Sequence, residues 1–151
     1  MYNTTVKMIE ENFLLEGFSE PRIEPEVIFK MRTVPSSEMN LEELLDCISH
    51  VSHGFEIVQS IFKSWQFTTV DTIVAFGLHG ALLRGPFYKV SKFNIDRWLK
   101  ELSNFEITLL RNDVLVEKGK ASNILGLGSL QALKYILIGE ERLGRNVEVK
   151  P

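Results

Sequence analysis

Residues 23–31, IEPEVIFKM, constrain the fold of this chain more than any other stretch. The β-branched and apolar residues read as a strand. Pro25 sits inside it and cannot donate a ladder hydrogen bond, which assigns this part of the strand to a sheet edge or a bulge. Glu24 and Glu26 flank the proline, and residues two apart in a strand project from the same face. Two like charges side by side repel, and on an inward face each would also lose hydration. Either both carboxylates sit in water, or a cation sits between them.

The rest of the chain supplies more strands than helices. FEIVQSIF is a second strand candidate, with Phe55, Ile57 and Gln59 on one side and Glu56, Val58 and Ser60 on the other. DTIVAFGLHGALLRG is a long apolar run broken by Gly77 and Gly80, and it reads as β because each glycine would cost a helix about 1 kcal/mol. FEITLLRNDVLVEKGKAS is the clearest hairpin: Asn112 and Asp113 tolerate the left-handed backbone of a tight turn. Residues 145–151, RNVEVKP, read as the start of a further strand.

Two helices stand out. In VPSSEMNLEELLDCISHV, Asn40 can cap, Glu42 and Glu43 suit the first turn, and Leu41, Leu44, Leu45 and Ile48 share a face. In GSLQALKYILIGEERLG, Ser129 is the expected cap and Leu130, Leu133, Ile136 and Leu137 the buried stripe. Residues 4–15 have no clean period. Many strands with two or three helices predict an α+β domain, β-rich, with a mixed sheet or barrel, spanning residues 1–151 as one domain.

A length of 151 residues is enough for one core. Lys and Arg number 17 against 20 Asp and Glu, so the net charge of −3 offers no electrostatic case for nucleic acid or an anionic membrane. No 18-residue apolar stretch and no signal-peptide pattern is present, so no membrane partner is expected. The single cysteine, Cys47, excludes an internal disulfide and a cysteine-based zinc site, fits a reducing compartment, and reads as core. The expected location is the cytoplasm.

Glu56 is a third carboxylate in an otherwise apolar strand. Three carboxylates without clustered Cys or His form an all-oxygen ligand set, which suits Mg²⁺ or Mn²⁺ better than zinc. The ordinary alternative is three charges on solvated strand faces. For acid–base work the candidates are His79, with His53 behind it, since imidazole titrates near neutrality. Asp71 reads equally as a cap or turn residue, and Lys63 and Trp65 as a half-exposed strand or loop.

Three blocks in order, PRIEPEVIF, FEIVQSIFKSWQFTTVDT and GKASNILGLGSLQALKYI, resemble the 2-oxopent-4-enoate hydratase and 4-oxalocrotonate decarboxylase group of the fumarylacetoacetate hydrolase superfamily. The resemblance runs from about Pro21 to Gly85 and again from Phe105 to Gly144. It implies a β-rich fold in which Glu24, Glu26 and Glu56 hold one Mg²⁺ or Mn²⁺. It also implies metal-assisted enolisation of a small 2-oxo acid, leading to hydration of an alkene or loss of CO₂. A C–C hydrolase acting on acylpyruvates belongs to the same superfamily.

The sequence departs from that group in three places. Its members carry a catalytic lysine ahead of the Glu-x-Glu strand, whereas Lys7 stands in no matching motif. They continue past the equivalent of VEVKP, so this chain reads as shortened at both ends. Where they show Asp-Ser-Arg this chain has Gln59-Ser60-Ile61, and their Ala-Asp-Asn-Ala-Ser-Ser run is Val74-Ala75-Phe76-Gly77-Leu78-His79. These departures raise a second expectation, a non-catalytic relative, fragment or assembly partner of an active paralogue. Exposed strand edges and apolar surface would then predict a homo-oligomer or a paralogous partner subunit.

Overall fold

The computed structural model describes residues 3–9, 12–126, 128–145 and 147. Its elements begin with β1 (Val6–Met8), β2 (Arg22–Met31), α1 (Leu41–Asp46), β3 (Ile48–Val58), α2 (Thr69–Val74) and β4 (His79–Arg84). They continue with β5 (Tyr88–Lys89), α3 (Ile95–Asn104), β6 (Glu106–Arg111), β7 (Val114–Lys120) and α4 (Ser129–Arg142). Helices, a mixed sheet and an antiparallel hairpin together make the α+β architecture expected, with four α-helices among the described residues where the sequence marked two or three. The strand read at 145–151 falls largely on residues outside those described. Among the described residues no helix is long and apolar enough to cross a membrane.

The chain divides into two compact units, residues 1–28 with 52–88, and residues 29–51 with 89–151. Strands β2 and β3 each contribute residues to both.

In the first unit the strand order is β1-β4-β3-β2. β1 runs parallel to β4 with Val6 opposite Leu82, and β4 runs antiparallel to β3 with Phe55 opposite Leu83 and Ile57 opposite Ala81. Alternation sends Ile57, Ala81 and Leu83 to a buried face, where Ile9, Phe13, Phe18 and Phe55 close over them. β2 is the last strand in the order, so Pro25 lies at an edge, as its missing N–H requires.

One expectation fails in this unit. The run from Asp71 is not continuous strand: Thr69–Val74 is helical, and only His79 onward is β. The Thr68 hydroxyl accepts from the Asp71 amide and the Asp71 carboxylate accepts from the Thr68 amide, a capping box that nucleates the turn. That local satisfaction outweighs the weak β preference of Val70, Ile73 and Val74, all of which are exposed.

In the second unit, Asn40 and Glu43 form the capping box of α1, whose Leu44 and Leu45 are fully buried. The helix ends at Asp46, so Ile48 is buried from a strand and not from the helix. α1 packs on α3 and α4. α3 buries Trp98 and Leu102, one turn apart. α4 buries Leu130 and Leu137 but leaves Ile136 exposed, and its N-cap is Gly128 at φ 91°, with Ser129 the first helical residue. The hairpin forms as read: β6 and β7 pair through Asn112 and Asp113, at φ 51° and 62°, with a register shift between Leu109 and Leu110.

Candidate metal centre

Strand periodicity and sheet order bring the three glutamates together within the first unit. Glu24 and Glu26 leave the same face of edge strand β2, and Glu56 leaves the neighbouring strand β3. Each offers a carboxylate oxygen within 4.8 Å of the others. Glu24 is exposed, while Glu26 and Glu56 are partly buried, so the cluster is open on the Glu24 side.

The electrostatics are unfavourable for the protein alone. Partial burial, then the charge of Glu56, then that of Glu24 push the Glu26 carboxyl up to about 6 from its ordinary 4.5. Among the described residues no lysine or arginine ion pair reaches any of the three. The donor set is hard, anionic and all-oxygen, and its oxygens stand close enough together to hold a metal ion.

Among the described residues, His79 is the basic side chain that engages the cluster. Its Nδ1 hydrogen-bonds Glu56 Oε1, and its Nε2 lies 2.8 Å from Thr5 Oγ1. The imidazole is 12 % exposed and the Glu56 side chain 19 %, so water competes little for this contact. A bulge makes the contact possible. Ile57 lies opposite Ala81 but Val58 lies opposite His79, which leaves Gly80 unmatched. In an unbroken ladder His79 would share the face of Ala81 and Leu83; the extra residue turns it to the face of Glu56. Only glycine fits there, because a Cβ would stand 2.7 Å from the Ile57 carbonyl oxygen and 2.8 Å from the Phe18 ring.

The other residues singled out in the sequence stand elsewhere. His53 is exposed, its ring against Gly85 and its carbonyl bonded to the Gly85 amide. Asp71 is the capping residue of α2, with its carboxyl held below the usual range by the Thr68 amide and hydroxyl. Lys7 lies over the Phe13 ring at 5.3 Å. Gln59 accepts from the Ser19 amide, and the buried Ser60 hydroxyl is spent on the Phe62 backbone. Cys47 is buried in the second unit beside the Met39 sulfur. Lys63 and Trp65 fall in a 3-10 turn, with the Trp65 indole donating to the Glu20 carbonyl. Sequence reasoning missed Thr5, which lies in a stretch without period; the bulge has a signal only in Gly80.

Fold and cluster thus define a class: an α+β chain with a three-carboxylate centre on a mixed sheet. No protein-family model matches the chain. Among solved structures the fold is similar to that of 4-oxalocrotonate decarboxylase from Pseudomonas putida G7. The form complexed with magnesium and adipate matches with a TM-score of 0.69 and 17 % identity, over 85 % of this chain and 47 % of that one. The form complexed with calcium and acetate gives 0.65 and 16 %, over 85 % and 46 %. This chain therefore spans less than half the length of those structures, and at these identities the likeness is one of fold.

Proposed function

We propose that this chain is a divalent-metal-dependent lyase of the fumarylacetoacetate hydrolase superfamily, a hydratase or decarboxylase of small 2-oxo acids. The observation that carries the reading is the convergence of Glu24, Glu26 and Glu56 with no lysine or arginine partner among the described residues. The fold it shares with a decarboxylase solved with magnesium supports it. These three side chains would hold Mg²⁺ or Mn²⁺, which supplies Lewis-acid polarisation of the keto oxygen of a bound 2-oxo acid. The exposed Glu24 leaves the substrate side open to solvent. His79 bonds Glu56 and Thr5, and in this reading it serves to hold a carboxylate ligand in place.

A second reading, a non-catalytic relative or assembly partner, is favoured by a specific observation. Gln59 and Ser60 are consumed by backbone contacts, while Val70, Ile73, Val74 and Phe76 present apolar surface to solvent. That surface suits a second copy or a paralogous subunit. The acylpyruvate hydrolase alternative needs a positioned water and a base to activate it, and no observation specifically favours it. The cytoplasm is the location proposed with either reading.

Calorimetric titration of Mn²⁺ into the wild type, Glu24→Ala and Glu56→Ala tests the centre, and unchanged binding in both variants would remove it. Oxalate, which mimics the planar enolate, separates the readings. Metal-dependent oxalate binding supports the lyase, and metal binding without oxalate supports the non-catalytic relative.

A further inference from the structure

A carboxylate can hold a cation through one oxygen or through both, and the choice affects which cation fits. Ca²⁺ takes six to eight oxygens and accepts two from a single carboxylate, whereas Mg²⁺ takes six in a tight octahedron and takes one from each. The neighbours of each glutamate therefore bear on selectivity.

Glu56 has such a neighbour. A carboxylate can only accept, so the hydrogen in its bond to His79 sits on Nδ1, and in the neutral ring Nε2 accepts from the Thr5 hydroxyl. Thr5, His79 and Glu56 thus form a short chain anchored in three places: a 3-10 turn ahead of β1, the bulge of β4 and the C-terminal part of β3. Turning both Glu56 oxygens onto one ion would set the cation in competition with the His79 N–H for Oε1 and weaken that bond, inside a site where water offers little replacement.

From this we propose that His79 is a specificity-determining positioning residue. It holds Glu56 to single-oxygen binding and so favours Mg²⁺ over Ca²⁺ at the three-glutamate centre. The inference rests on the metal reading given above. Mg²⁺ and Ca²⁺ share charge and ligand preference, so their affinity ratio isolates size and denticity from general binding strength.

The test is titration of wild type, His79→Leu, His79→Asn and Thr5→Val with Mg²⁺ and, separately, Ca²⁺. His79→Leu removes the N–H donor, and the Mg²⁺ to Ca²⁺ affinity ratio is expected to fall about tenfold, with a loss of Mg²⁺ affinity of the 10–100-fold size typical of groups that orient ligands. His79→Asn keeps a donor near the Nδ1 position and is expected to hold the ratio near the wild-type value. Thr5→Val lets the ring turn and should shift the ratio in the direction of His79→Leu by a smaller factor. It also serves as the test if His79→Leu does not fold. An unchanged ratio in both His79→Leu and Thr5→Val, with Mg²⁺ still bound, overturns the role of His79 alone. Failure of the wild type to bind either cation overturns the centre and, with it, this inference. A general structural role for His79 would weaken both cations equally and leave the ratio fixed, which also refutes the proposal.

Discussion

Replacing Glu26 by Gln should stabilise the metal-free protein and destabilise the metal-loaded one. Burial and the charges of Glu56 and Glu24 raise its carboxyl from 4.5 to about 6 in the folded chain. A folded value above the unfolded one means that the folded state binds the proton more tightly. The associated stability is therefore fully present below pH 4.5 and lost as the pH rises through about 6. The full shift corresponds to about 2 kcal/mol, and because Glu26 is only partly buried, solvent screening leaves about 1 kcal/mol. Glutamine has similar shape and no charge to lose. With a chelator present at pH 8, Glu26→Gln should then gain about 1 kcal/mol in urea denaturation, or about 2–4 °C in Tm for a chain of this size. Near pH 4 the two proteins should coincide. With Mn²⁺ at a hundredfold excess over its Kd, the wild type gains about 2.7 kcal/mol from binding, and the variant, lacking a ligand, falls below it. A variant less stable than wild type in chelator at pH 8 would refute the argument that the three charges repel without compensation.

Two further substitutions probe the bulge of β4 and, separately, the hairpin turn. Gly80→Ala places a Cβ 2.7 Å from a backbone oxygen and should cost about 1–3 kcal/mol while releasing the His79 to Glu56 bond. Thermal denaturation and the His79 ring ¹⁵N shifts would read both, and an unchanged Tm would show that the bulge tolerates a side chain. At the hairpin, Asp113→Gly relieves a left-handed residue at φ 62° and should raise the urea midpoint by the equivalent of about 0.5 kcal/mol. A lower midpoint would mean that the Asp113 side chain contributes a contact of its own.

The parts of the fold legible in the sequence were those whose cause is local. Asn112-Asp113 declares its turn, Asn40 with Glu43 declares a helix start, and Pro25 declares an edge, because each acts through its own backbone. The glutamates were legible as an anomaly in a β-branched run, with a solvated strand face as the ordinary alternative to a cation between them. What escaped depended on non-local context or on competing signals. Thr68 and Asp71 carry the spacing of a capping box, but Val70, Ile73 and Val74 around them argue for strand. α3 went unread although Ile95, Trp98, Leu99 and Leu102 stand at full helical spacing, because the helix is short and most of its other residues are charged. His79 was picked out as an acid–base candidate, yet its partner depends on one extra residue in β4 and on a hydroxyl 74 positions away, which periodicity does not encode.

Arg22, Glu24 and Glu26 stand at alternate positions of β2 and so share a face. The Arg22 guanidinium lies over the Trp65 indole at 3.9 Å, and that indole is anchored through its N–H to the Glu20 carbonyl. The protein therefore carries an optical reporter two residues along the strand from Glu24. The second tryptophan, Trp98, is buried in the other unit, so Trp98→Phe would leave Trp65 as the only indole fluorophore. Any displacement of the strand as its carboxylates draw in around a cation would alter the stacking of Arg22 on that ring. Occupancy could then be followed by emission intensity in real time, without a dye or a substrate.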